Sequence, residues 1–276
     1  KCKEYLNQTN YIDEIIILKR NNKIKNLEHN GFFGILRLAS ELKKYNFNKV
    51  FIFNSSLRYK LISKLSGIKK IYQFPLFQKK GQNMVEASKK LIFNSLGIQV
   101  INDPKIHINE TSVLGAAEKY NISKNNLNIL LGIGGSGPTK RIPAKTFLKV
   151  MEGVSKQKKC KFFLATGKNN EEQKILNEIK ISDLKENCQS LDNLSINECL
   201  PIIKNCDLSI CNDSSFSHLS SALGLETITL MADTPLMYGS YSSKMHPILP
   251  DNVNEVTHGT LGKDKINPQK ILDKLN

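Results

Sequence analysis

The feature that most limits what this chain can fold into is an alternation carried along its whole length, short apolar runs followed by segments of helical spacing. In the second half the runs are ILLGI (129–133), KFFLATG (161–167), CDLSICND (206–213) and ETITLMAD (226–233), with a shorter one at 188–191. Helical periods fill about 143–157, 170–180, 195–205 and 214–223, and a last one falls at 267–275. The first half reads EIIILK (14–19), KVFIFN (49–54) and KKIYQF (69–74), with helices expected over 30–45, 56–66 and 82–96 and Gly97 suited to a helix C-cap. Runs this apolar suit strands covered on both faces, and strand–helix alternation with short connections builds parallel sheets. The polar, Asn-rich KYNISKNNLN (119–128) reads as a linker. The expected fold class is therefore α/β, two doubly wound parallel-sheet domains with a cleft between. Their expected bounds are 1–120 and 121–262, followed by a C-terminal helix in 263–276.

The 276 residues are enough for two such domains, each with its own core. No apolar stretch reaches the roughly 20 residues that span a bilayer, and the opening KCKEYLNQTN is polar, without the apolar stretch of a secretory signal. The six cysteines (2, 160, 188, 199, 206, 211) form no CxxC pair, and several sit in apolar runs, so reduced structural thiols in a cytosolic protein are expected. A net charge of +15 admits two readings, lysines spread over solvated faces or a partner that carries phosphates. The lysines are dispersed and no zinc-finger, RNP or helix-turn-helix signature is present, so no nucleic-acid partner is expected.

In open α/β sheets, ligands sit beyond the carboxyl ends of strands, and two strand ends here carry chemistry. The first is LGIGGSGPTKR, Leu131 to Arg141, in which Gly132, Gly134 and Gly137 fit G-x-G-x-x-G. A dinucleotide turn needs its third glycine on the opening turn of a helix and an acidic residue about 20 positions on, at the end of a second strand. Here Pro138 follows Gly137 at once, the helix is expected to open at Pro143, and Glu152 falls inside it. A Walker A loop would need Lys-Ser/Thr where Pro138 stands. What remains is a strand, a turn with free amides, and the cations Lys140 and Arg141, which together can seat a diphosphate. A glycine-rich loop with no function is the plainer alternative.

The second strand end is Asn212-Asp213-Ser214-Ser215-Phe216-Ser217-His218-Leu219-Ser220-Ser221-Ala222-Leu223-Gly224. Asp213 or Ser214 can cap the helix that follows, and the small Ser214 and Ser215 leave its first amides open to a ligand. His218 falls one turn in, where it can project toward the same spot and hydrogen-bond a phosphate or hydroxyl. The plainer alternative is an Asp N-cap with a histidine that merely packs.

These motifs, in this order, resemble glycosyltransferase family 9, the bacterial heptosyltransferases of the lipopolysaccharide core. Lys140-Arg141-Ile142-Pro143 stands at the family's Lys-Arg-Trp-Pro-like element, and Asp213 to Gly224 at its Asp-Ser-Gly-x-x-His-Leu-x-x-Ala-Leu-Gly element. Thr234-Pro235 stands at its Thr-x-Pro, and YIDEIIIL (11–18) and NSSLRYKLISKLSG (54–67) are similar to segments of its acceptor domain. The resemblance implies a GT-B architecture of two Rossmann-like domains. It implies transfer of a heptose or related sugar from an ADP-sugar to a phosphorylated lipopolysaccharide core or similar glycolipid, with inversion and with neither metal nor cofactor; no D-x-D occurs here. It places Gly135, Ser136 and Lys140 on the donor's phosphates, Leu194 against the nucleobase, and Asp213, Ser214, Ser215 and His218 on sugar and diphosphate. Lys140 and His218 would then stabilise the leaving group, and Arg58, with Lys60 and Lys64 nearby, would meet acceptor phosphate. The partners implied are nucleotide-sugar and glycolipid, for a cytoplasmic monomer in peripheral contact with the inner membrane.

The departures matter too. Ile142 replaces the Trp, Ser215 the second motif's Gly, and Met231-Ala232-Asp233 a common Phe-Gly-Pro run, which leaves open a donor other than ADP-heptose. The family's general base sits in a Gly-Asp element that does not precede YIDEIIIL here, and Asp13 and Glu14 belong to the next segment. The chain, starting at Lys1, thus reads as lacking the first domain's opening strand and helix, so that this domain is incomplete and the chain either a fragment of a longer product, the expected case, or inactive. Two rivals stay open, a non-catalytic sugar-nucleotide binding protein and an NAD-dependent oxidoreductase.

Overall fold

A computed structural model describes residues 3, 6–7, 11–21, 23–24, 27–75, 83–101 and 103–275. Contacts divide the chain into a smaller unit, 14–102, and a larger one, 103–276 together with 1–13. The smaller unit runs α1 (Gly31–Lys43), β1 (Lys49–Ile52), α2 (Leu57–Leu65), β2 (Lys70–Gln73) and α3 (Met84–Leu96). β1 and β2 pair in parallel, Lys49 opposite Lys70, and Ile35, Leu38 and Ala39 of α1 pack on Ile62 of α2. Gly97 ends α3 at φ 69°, the left-handed cap that glycine adopts without a Cβ penalty.

EIIILK (14–19), expected as a strand, is not one. An apolar run becomes a strand only where neighbouring backbone completes its hydrogen bonds, and among the described residues no strand pairs with it. Its end is tied instead to His29, whose Nδ1 accepts from Lys19 N and whose N–H donates to the Lys19 carbonyl.

The larger unit follows the expected alternation and adds to it. Its elements are α4 (Glu110–Lys119), β3 (Leu127–Gly132), α5 (Ala144–Ser155), β4 (Cys160–Ala165), α6 (Asn170–Lys180), β5 (Cys188–Ser190), α7 (Ile196–Lys204), β6 (Leu208–Asn212), α8 (Ser215–Ala222), β7 (Glu226–Leu230), β8 (Met245–Ile248) and α9 (Pro268–Asp273). All six strands are parallel, in the order β5-β4-β3-β6-β7-β8. The chain steps outward from β3 to β5, returns to lay β6 beside β3, then steps outward again. Such an order creates a switch point between β3 and β6, where the loops leaving two neighbouring strands part in opposite directions.

Both faces of this sheet are covered, as its unbroken apolar runs require. Ile129 and Leu131 of β3, with Phe162 and Leu164 of β4, face Phe147 and Met151 of α5 and Ile271 of α9. The alternate residues Leu130 and Phe163 face the other way, onto Leu200 and Ile203 of α7. Residues 119–128 are not a free linker: Tyr120 and Ile122 pack on that second face and Leu127 is already in β3. The segment before them also joins the larger unit, since Ile106 N donates to the Ala222 carbonyl and Asn205 Nδ2 to that of Val113. β8 is not legible in the sequence because MHPI carries a proline and a histidine; it forms at the sheet edge, where proline is tolerated.

Cys160, Cys188, Cys199, Cys206 and Cys211 are free thiols, while Cys2 lies outside the described residues. No helix of the described residues is long and apolar enough to cross a membrane.

Candidate functional site

β3 and β6 approach closely at the switch point because Gly132 has no side chain: a Cβ there would stand 2.6 Å from Cys211 Sγ. Asn212, at the end of β6, fastens the glycine loop with its side-chain amide, which donates to the carbonyls of Ile133 (2.8 Å) and Gly134 (3.2 Å). The Gly135 amide, expected on donor phosphate, is occupied by a carboxylate: it donates to Glu172 Oε1 at 2.6 Å. Glu172 is buried on α6 and also accepts from Asn169 Nδ2, so it pins the loop from below, while Arg141 Nε holds the Gly135 carbonyl at 2.9 Å. Ser136 is exposed, and no described residue accepts from its N–H or that of Gly137. Pro138–Lys140 form one 3₁₀ turn and α5 opens only at Ala144, after Pro143. The third glycine therefore misses the helix start, and β4 runs into Thr166-Gly167 with no acid, so the dinucleotide geometry is absent here.

The second corner meets the first. Asp213 does not cap α8; its Oδ2 accepts from Lys140 Nζ at 2.7 Å, with the Asp213 side chain 7% and the Lys140 side chain 23% exposed. Ser214 takes the N-cap position with extended backbone and no side-chain cap bond. The N–H groups of Ser215 and Phe216 thus open the helix without an acceptor among the described residues. Four of the buried polar atoms that lack a partner (Thr166 Oγ1, Asn212 Oδ1, Ser214 Oγ and Thr234 Oγ1) lie at or shortly past the ends of β4, β6 and β7. An unmet buried polar group costs about 1–3 kcal/mol, so such a grouping marks where a polar ligand would complete the bonding.

His218 is half-buried one turn into α8, its Nδ1 2.8 Å from the Tyr241 hydroxyl and its ring stacked on that of Tyr241 at 5.6 Å. Burial pushes its pKa below the usual histidine value; the charge of Asp213 acts upward and that of Lys140 downward. All three side chains are therefore within electrostatic reach of one another. Burial, with Asp103 and Asp213 adding to it, pushes the Tyr241 phenol up to about 12. Nothing in YGSYSSK (238–244) marks this tyrosine in advance; only the packing of the β7–β8 loop reveals it.

The remaining expected residues stand elsewhere. Leu194 follows β5 and packs on the core face that holds Leu191 and Leu200. Ser215 is exposed on the first turn of α8. Arg58, in the smaller unit, donates from its two terminal nitrogens to the carbonyls of Gly31 (2.8 Å) and His29 (2.6 Å), and its Nε is buried without a partner; Lys60 and Lys64 are exposed. Two departures gain a physical account. Ile142 is fully buried in the larger core. Asp233 accepts from the N–H groups of Gly259 (2.9 Å) and Leu261 (2.8 Å) and from Thr139, which lowers its pKa and ties the 257–261 turn to the 3₁₀ turn bearing Lys140.

Comparison with known proteins identifies the family and the fold. Residues 35–255 match the profile of glycosyltransferase family 9 (heptosyltransferase). The chain is 23% identical over 248 residues to lipopolysaccharide heptosyltransferase 1 of Campylobacter coli, covering 81% of this chain and 72% of that protein. It is 31% identical over 207 residues to lipooligosaccharide heptosyltransferase 2 of Campylobacter jejuni (serotype O:6, strain 81116), covering 72% of this chain and 62% of that protein. Among solved structures, the E. coli ADP-heptose LPS heptosyltransferase II superposes with a TM-score of 0.70 at 18% identity, covering 88% of this chain and 79% of that one.

Proposed function

Because the chain belongs to glycosyltransferase family 9, the heptosyltransferases, we propose that it moves a heptose or related sugar from an ADP-sugar to a phosphorylated lipopolysaccharide-core acceptor. The observation that carries this reading is the Lys140–Asp213 pair at the switch point, flanked by open amides at Ser136 and Gly137 on one side and Ser215 and Phe216 on the other. The E. coli relative is an ADP-heptose heptosyltransferase, and a nucleoside diphosphate is the anion such a corner suits.

In the proposed reaction the acceptor's hydroxyl oxygen bonds to the anomeric carbon from the face opposite the diphosphate. The sugar–oxygen bond to the diphosphate breaks, its electron pair departs with the phosphate oxygen, and the hydroxyl proton passes to a base. Charge grows on the leaving diphosphate, so fixed donors aimed there lower the barrier, each worth roughly 3–4 kcal/mol in comparable sites. Lys140 takes the place a metal would fill. Held by Asp213 in the free protein, its ammonium stands in place before the diphosphate arrives, and Asp213 is then free to accept from sugar hydroxyls. Arg58 and the exposed Lys60 and Lys64 suit an anionic acceptor. With +15 of net charge, the chain also suits work at an anionic inner-membrane face.

Calorimetric titration with ADP, an ADP-sugar and NAD tests the proposal. ADP and the ADP-sugar are expected to bind, and Lys140→Ala to weaken both by about tenfold or more. Binding of NAD with none of ADP would overturn it.

A further inference from the structure

Tyr241 belongs to no motif of the sequence, yet it is the closest polar neighbour of His218. The phenol keeps its proton at any ordinary pH, since burial pushes it up to about 12. Among the described residues, the hydrogen-bond partner of its hydroxyl is His218 Nδ1, at 2.8 Å. A phenol that donates to Nδ1 leaves the proton of a neutral imidazole on Nε2. The tyrosine is itself held. Its ring stacks on the imidazole at 20° between planes. The backbone just after it is anchored where Asp103 Oδ2 accepts from Ser242 Oγ (2.8 Å) and Ser243 N (3.1 Å).

We propose that Tyr241 is a positioning residue, which fixes His218 as the Nε2–H tautomer and so turns that ring edge into a hydrogen-bond donor toward the ligand of the Lys140–Asp213 corner. The inference rests on reading that corner as the seat of the donor's diphosphate. With the proton on Nε2 the imidazole offers N–H to an anionic oxygen; with the proton on Nδ1 it would present a lone pair to the same oxygen and repel it. Three groups bear on this choice besides burial. Asp213, from the β6–α8 corner, draws the ring toward its cationic form; Lys140, from the 3₁₀ turn, opposes that; Tyr241, from the β7–β8 loop, stabilises the neutral ring and selects its tautomer. Asp103, held on Ser242 and Ser243, adds negative charge near Tyr241.

Nitrogen-15 NMR of the histidine rings tests this directly, with His218 picked out among the five histidines by its loss in His218→Gln. The wild-type ring is expected to show an unprotonated Nδ1 and a protonated Nε2 at pH 7.5. Tyr241→Phe, which keeps the stacked ring, is expected to mix the tautomers and raise the pH at which His218 titrates. A wild-type ring carrying its proton on Nδ1, or identical His218 spectra in the two proteins, would overturn the proposal. A second measurement reads the consequence. Tyr241→Phe is expected to weaken ADP binding by about three- to tenfold, and to add nothing in a His218→Gln background. Independent, multiplying losses would contradict a role exercised through His218. If the spectra behave as expected while ADP fails to bind the wild type, the Tyr241–His218 pairing stands and the donor reading falls.

Discussion

A carboxylate buried as deeply as Asp213 keeps its charge in a folded protein only where a cation or several donors meet it. Lys140 is that cation, at 2.7 Å. Lys140→Met is therefore expected to cost about 1–3 kcal/mol of stability as well as ADP affinity. Adding Asp213→Asn to that variant should recover much of the stability and none of the affinity. Urea unfolding and calorimetry on the same samples separate the two effects; recovery of both would make the pair purely structural. His218 supplies a pH signature. Its folded pKa is depressed by burial, whereas the unfolded chain takes up that proton near ~6.5. As pH falls the unfolded state binds the proton first, so the contribution is fully present above the unfolded pKa and is lost as pH falls through the lowered folded value. His218→Gln is expected to flatten the loss of stability between pH 7.5 and 5.5, measured from urea midpoints; an unchanged slope would remove His218 as its source.

At the level of elements, the close approach of β3 and β6 depends on Gly132. Gly132→Ala would set a methyl 2.6 Å from Cys211 Sγ and 2.8 Å from its Cβ, a clash with a rigid strand. It is expected to destabilise by about 1–3 kcal/mol and to weaken ADP binding by spreading the two corners. Gly115→Ala, on open surface, should do neither, and equal effects of the two in thermal unfolding would refute this account of the switch point. The same elements show what the sequence makes legible. Strands such as ILLGI and KFFLATG stand out because both faces are buried and every side chain is apolar, and the helices between them because their apolar positions recur with helical spacing. The Asp213–His218 motif is legible because cap, amides and histidine are local in sequence. What escapes notice depends on distant partners. EIIILK has a strand's composition and no ladder partner among the described residues. MHPI lacks the composition and is recruited by β7. The Gly135 amide looks free until Glu172, thirty-seven residues on, occupies it, and Tyr241 and Asp233 matter only once their loops pack.

Over the whole molecule the two units differ sharply in core. The larger unit holds both extended apolar clusters, the smaller a cluster of Ile35, Leu38, Ala39 and Ile62 with a two-stranded sheet. Local stability follows buried apolar contact, so in hydrogen exchange the amides of β3, β4 and β6 are expected to exchange last and those of β1 and β2 well before them. ADP should slow exchange in the larger unit alone; equal protection of the smaller one would argue against a donor seat confined to residues 103–275. The most direct test of the central claim, a diphosphate held where β3 and β6 part, is the amide NMR spectrum recorded while ADP is added. The account expects the largest shifts at Ser136, Gly137, Ser215 and Phe216, and their disappearance in Lys140→Ala. Shifts centred elsewhere, or undiminished in that variant, would contradict it.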